Sequence, residues 1–112
     1  METRAEADAA EAIIDAIQKA AAEHFGITQE QLIARKKVPA MDEPRQIAIW
    51  LAKQLTTRKL GKIGRQFGGR DHSTVLYSIN KIDKLRAADP ELQRRLETLA
   101  AKVKGRLPSD PQ

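Results

Sequence analysis

Apolar side chains recur at helical spacing along most of this chain, and no segment alternates as a strand would. From about Glu6 to Phe25, the residues Ile13, Ile14, Ile17, Ala21 and Phe25 fall on one stripe, which Gly26 stops. Thr28 followed three residues later by Gln31 is a capping-box pattern, and it opens a short helix through Leu32 and Ile33. Arg35 to Glu43 has no periodicity and contains Pro39, which predicts a loop. Pro44 suits the first position of the next helix, where a missing N–H costs nothing. That helix carries Ile47, Trp50, Leu51 and Leu55 on its apolar face and is expected to end near Thr57.

A second set of elements follows. Leu60 to Phe67 predicts a short helix, Gly68-Gly69 a turn, and Asp71 to about Ala87 a longer helix. On the latter, Val75, Ile79 and Ile82 share one face, while Ser73, Tyr77, Asn80 and Lys84 lie on the opposite, polar one. Asp89-Pro90 pairs a cap with a first-turn proline and starts a last helix through Leu92, Leu96, Leu99 and Val103. Gly105 is expected to end it, and Pro108 to Gln112 to form a frayed tail. The fold class expected is all-α: a compact helical domain of about five to six helices. Short helix, glycine turn and longer helix make a helix-turn-helix candidate, with Asp71 to Ala87 as its recognition helix.

Composition narrows the functional classes. The 112 residues leave room for one modest core, and cysteine is absent, which removes disulfides and thiolate metal sites. No apolar run approaches the roughly 20 residues that a membrane span needs. The acidic start, Met1 to Glu6, lacks the apolar core of a signal peptide, so a soluble cytoplasmic protein is expected. The net charge of +5 is unevenly spread: residues 1–34 carry −5, residues 35–86 carry +9 and residues 87–112 carry +1. A basic block around the glycine turn suits a polyanion, because neutralised phosphates release their counterions. Solvation of helix faces is the ordinary alternative for such lysines and arginines.

The first turn of a recognition helix points into the groove, so its side chains must be short and polar. His72, Ser73 and Thr74 meet that demand, offering hydrogen bonds to base edges or a methyl to thymine. Asp71 has two readings, acceptor from a cytosine amine or N-cap of its own helix, and both can hold in part. Catalysis is not expected. Asp71, His72 and Ser73 are triad residue types, but helical neighbours point about 100° apart and cannot relay a proton. Two histidines without cysteine make no metal constellation, and no cofactor is expected. Gly61-Lys62 is followed by Ile63 and lacks the upstream glycine of a phosphate-cradling loop.

Gly68-Gly69-Arg70-Asp71-His72-Ser73-Thr74-Val75 resembles the signature of the C-terminal DNA-binding domain of the bacterial chromosomal replication initiator DnaA, with Ser73 where the family usually has Thr. Pro44-Arg45-Gln46, Leu51-Ala52-Lys53, Leu60 and the Ile-Thr-x-x-x-Leu-Ile element from Ile27 are also similar to the family pattern. The resemblance covers residues 13–104, leaving 1–12 as an acidic N-terminal extension and 105–112 as a flexible tail. It implies a helix-turn-helix and a basic loop that together bind an A·T-containing box in double-stranded DNA. Carried over by position, Asp71, His72 and Ser73 would face bases, with Leu60 against a thymine methyl. Arg45, Gln46, Lys53, Arg70, Thr74 and Lys81 would hold phosphates, and Arg35, Lys36 and Lys37 would form the minor-groove loop.

The departures from that pattern matter. Lys37 stands where the family sends an arginine into the minor groove, Pro39 and Glu43 replace further arginines, and Asp42 is an added acid. Gly61 stands where proline is common. Lysine lacks the flat fork that suits a narrow groove, so weaker affinity or stringency than a typical initiator is expected. The family's ATP-binding motor domain is not found in these residues. The function expected is therefore regulation of replication initiation, or of transcription, by a monomeric, nucleoid-associated box reader without ATPase activity. The alternative is an adaptor with weak or nonspecific DNA binding that binds the initiator or another replication protein, through the acidic first helix, the diluted loop or any exposed part of Trp50.

Overall fold

The computed structural model describes residues 1–107, so the frayed end expected for Pro108 to Gln112 lies outside the described residues. Six α-helices follow one another there: α1 (Arg4–Phe25), α2 (Gln29–Ile33), α3 (Asp42–Leu55), α4 (Leu60–Gln66), α5 (His72–Ala88) and α6 (Pro90–Arg106). A 3-10 turn, Pro39–Met41, precedes α3, and the described residues contain no strand. The all-α class read from the periodicity is the class observed.

Local chemistry sets the helix starts. Thr3 and Glu6 cap α1 reciprocally at 3.1 and 3.0 Å, and Thr28 and Gln31 do the same for α2 at 3.0 and 2.8 Å. The Asp89 carboxylate accepts from the N–H groups of Glu91 and Leu92 to open α6, with Pro90 in its first turn. Two of the boundaries that differ from the sequence reading have a plain cause. α3 begins at Asp42 and not at Pro44: two acidic residues suit the positive end of the helix, and a proline in the first turn displaces no bond. α6 runs through Gly105 to Arg106, since a glycine in a last turn costs only about 1 kcal/mol.

α3 lies at the centre, packed against α1, α4, α5 and α6. Ile14 and Ile17 of α1, Leu32 of α2, Ile47 and Leu51 of α3, Ile63 of α4, Val75 and Ile82 of α5, and Leu96 and Leu99 of α6 are fully buried. Each such side chain contributes about 1.5–3 kcal/mol relative to exposure. Phe25 and Leu55, on the same predicted stripes, are only partly buried and pack at the edge of this core. Trp50 is 8% exposed, donates its indole N–H to Asp83 at 2.8 Å, and has the Arg86 guanidinium 5.4 Å from its ring centre. Of the residues expected as an acidic extension, those from Arg4 onward form the first turns of α1. Glu2, just before it, and Glu11 within it lie 3.4 Å from the buried Arg58, whose Nη1 also donates to Gln66.

Candidate nucleic-acid interface

The connection between α4 and α5 is the geometric centre of the site. Gly68 and Gly69 have φ of +84° and +81°, in the left-handed region where a β-carbon is strained. The N–H groups of Gly69 and Arg70 both donate to the Gly64 carbonyl, at 3.1 and 2.9 Å, folding the chain back on the end of α4. A β-carbon on Gly64 would overlap the Arg70 carbonyl, and one on Gly68 would overlap the Ile33 carbonyl. The turn is thus wedged between its own helix and the end of α2.

This turn delivers α5 with its first residues to solvent. Asp71, His72, Ser73 and Thr74 are all exposed, while Val75, one residue on, is fully buried. Asp71 is the N-cap. Its Oδ1 accepts from the Thr74 N–H at 2.9 Å and from the Ser73 hydroxyl at 2.8 Å. The hydrogen bond from the Thr74 backbone, then that from Ser73, hold the Asp71 carboxyl below the usual aspartate range, so it stays charged. Of the two readings of Asp71, the cap is the one its contacts display. The Ser73 hydroxyl donates to the aspartate, whereas a catalytic relay would have it donate to the histidine.

The loop between α2 and the 3-10 turn comes to the same place. Arg35, Lys36 and Lys37 are exposed, and Nη1 of Arg35 donates to the Gly69 carbonyl at 3.3 Å. Thr74, Lys53 and Lys81 are exposed, and Gln46 and Leu60 are half-buried, Leu60 against the edge of the core. Tyr77, one turn on from Ser73, is 61% exposed, with the Lys81 ammonium 6.0 Å from its ring centre. It belongs to the polar face visible in the sequence, where its spacing from Ser73 is the only signal.

Arg45 and Arg70 are placed differently. Arg45 is 8% exposed; its Nε donates to the Leu32 carbonyl at 2.9 Å, its Nη2 to that of Ala34 at 3.5 Å, and its Nη1 lies 3.5 Å from Asp42. Arg70 donates through Nη1 to the carbonyls of Phe67 and Ile33 and through Nη2 to that of Ala34, the last at 2.7 Å. Burial lowers the pKa of both, and neighbouring cations add to the effect at Arg70. Both guanidiniums remain charged, because their ordinary pKa is so high. In sequence these residues are two cations of a basic block, and nothing there indicates that they face protein carbonyls.

A short helix, a two-glycine turn and a polar-tipped exposed helix, set beside an arginine- and lysine-rich loop, define a helix-turn-helix DNA-binding domain. The chain belongs to the family described as bacterial dnaA protein helix-turn-helix, which matches residues 14–82. Over 92 residues it is 54% identical to the chromosomal replication initiator protein DnaA of Caulobacter sp. (strain K31) and 55% identical to that of Caulobacter vibrioides (strain NA1000 / CB15N). Over 86 residues, 77% of this chain, it is 45% identical to the protein of the same name from Cereibacter sphaeroides (strain ATCC 17029 / ATH 2.4.9). The two Caulobacter alignments take in 82% of this chain but only 19% of the relative. The chain therefore spans about a fifth of the length of the curated relatives it matches. Among the described residues no helix is long and apolar enough to cross a membrane.

Proposed function

We propose that this chain binds initiator-box-like sites in double-stranded DNA and, by occupying them, regulates chromosome replication initiation or transcription. The observation that carries this reading is the juxtaposition of the exposed tip of α5 with the exposed basic loop, joined by the Arg35–Gly69 hydrogen bond. In the proposed complex His72 and Ser73 meet base edges in the major groove, with Asp71 adding an acceptor beside its capping role, and Leu60 lies against a thymine methyl. Gln46, Lys53, Thr74 and Lys81 hold phosphates, which set orientation and salt dependence. Lys36 and Lys37 reach toward the minor groove.

On this reading the chain acts as a monomer at the nucleoid, with no cofactor, and is not an enzyme. Gly61 and Lys62, the one glycine-lysine pair, sit inside α4 and not in a phosphate-binding loop. The adaptor reading loses its aromatic anchor, because Trp50 is buried and already hydrogen-bonded. Binding to box-containing and scrambled duplexes across a salt series tests the proposal. A preference for the box and a steep salt slope are expected; equal binding with a shallow slope overturns it.

A further inference from the structure

The end of α2 and the glycine turn are held together by arginine. Helix α2 ends on carbonyls with no intrahelical partner, and such groups must find donors elsewhere. Those of Leu32, Ile33 and Ala34 find them in Arg45 and Arg70. The chain continues from Ala34 directly into Arg35, Lys36 and Lys37, so these carbonyls are the root of the basic loop. The same Arg70 fork also holds Phe67, the residue that ends α4. One side chain therefore grips the base of the loop and the end of α4, from a position one residue before the N-cap of the recognition helix.

We propose that Arg70, assisted by Arg45, is a positioning residue that fixes the register of the basic loop against the start of α5, and so sets site preference without holding a phosphate of its own. The inference rests on the DNA-binding reading above and deepens it. A guanidinium has five N–H donors, and Arg70 commits three of its contacts to carbonyls from two separate segments. Turning it toward a phosphate would leave the Ile33 carbonyl without its donor, leave that of Ala34 with only the longer contact from Arg45 at 3.5 Å, and loosen the loop root. Arg45 is the more confined of the two, being buried with contacts through all three nitrogens. Gly68 completes the device: without a β-carbon, the turn can lie against the Ile33 carbonyl that Arg70 also grips. Register between two reading elements matters because each must reach its own groove at one setting of the domain.

The test uses the full chain, with Arg70→Gln, Arg70→Lys and, for comparison, Lys53→Gln at an exposed proposed phosphate contact. Affinity is measured on box-containing and scrambled duplexes over a salt series, after circular dichroism confirms helicity. Both Arg70 variants are expected to lose box-over-scrambled preference by about tenfold, while the salt slope on the scrambled duplex stays at the wild-type value. Lys53→Gln is expected to keep the preference and lower the slope by about 0.9, one phosphate's share. Lysine keeps the charge but not the planar fork, so its failure to rescue separates positioning from charge. A slope reduced by about 0.9 in Arg70→Gln with preference intact overturns the inference, as does full rescue by Arg70→Lys. Where the variants fail to fold, wild-type NMR decides: guanidinium protons of Arg70 that keep their shifts on DNA binding support positioning, and large shifts overturn it. A wild-type chain without box preference defeats the function itself, a result seen before any variant is made.

Discussion

Two glycines three residues apart in α4 are expected to respond in opposite directions to the same substitution. Gly61→Ala and Gly64→Ala each add one methyl to the same helix, and helix propensity favours alanine by up to about 1 kcal/mol. At Gly61 a β-carbon meets nothing within 4 Å, so this gain is realised, less a share for its place in the first turn. A stabilisation of about 0.5 kcal/mol is expected there. At Gly64 the methyl would overlap the Arg70 carbonyl and come to 3.1 Å from Cγ2 of the buried Val75. The carbonyl cannot step aside cheaply, because it belongs to the turn whose Gly69 and Arg70 N–H groups bond to Gly64 itself. α4 and α5 must then separate, and overpacking of this kind costs about 1–3 kcal/mol. After the propensity gain is subtracted, Gly64→Ala is expected to destabilise by roughly 1–2 kcal/mol. At about 4–8 °C per kcal/mol for a domain near this size, thermal melts should separate the two variants by some 6–20 °C. Box binding should weaken in Gly64→Ala even well below its midpoint, because the tip of α5 moves. Equal melting temperatures, or a more stable Gly64→Ala, would refute the close approach of α4 to the turn.

Other consequences are as direct. His72→Ala should lower box-over-scrambled preference about tenfold, whereas Lys53→Ala should weaken both duplexes alike; sequence-blind losses in both would refute the assigned roles. Lys37→Arg should tighten box binding at fixed salt, since a guanidinium suits a narrow minor groove better than an ammonium; unchanged or weaker affinity in a titration counts against the loop's placement. Asp83→Ala should destabilise by about 1–3 kcal/mol in urea denaturation, because the Trp50 indole N–H loses its acceptor, and Asp83→Asn should recover part of this. Asp71 contributes stability that is fully present above the ordinary aspartate pKa and is lost as pH falls through its lower folded value. Asp71→Ala should therefore melt lower than wild type at neutral pH and converge with it in acid; a constant gap would show the cap to be idle.

The sequence and the fold agree where local rules govern. Helical periodicity, the Thr28–Gln31 box, the Asp89-Pro90 start and the two-glycine turn each act within a few residues, so each is legible without a structure. The exposed tip was legible for the same reason, since a capped helix that buries Val75 must turn Asp71 to Thr74 outward. The start of α3 is less legible, because any first-turn position accepts a proline and Pro44 does not single out the first helical residue. The partner of Trp50 was missed because Asp83 is 33 residues away, and pairing at that distance leaves no local pattern.

The arginines of the basic block show why charge alone is a poor guide to an interface. A count of lysine and arginine treats every cation as available to phosphate, but availability depends on donors left over after folding. Arg58 lies 3.4 Å from both Glu2 and Glu11, and Arg45 and Arg70 are committed to carbonyls, so three of the block's strongest cations are spent on architecture. Among the described residues, those of the block without such contacts are mainly lysines, on the loop, at the end of α3 and along α5. Lysine offers a hydrated point charge and no fork, so the free surface favours phosphates over base edges. On the proposed reading, sequence preference comes mostly from the few side chains at the tip of α5 and from how well the loop is set against them. That makes the arginine bridge between the two elements the place where specificity is most open to change.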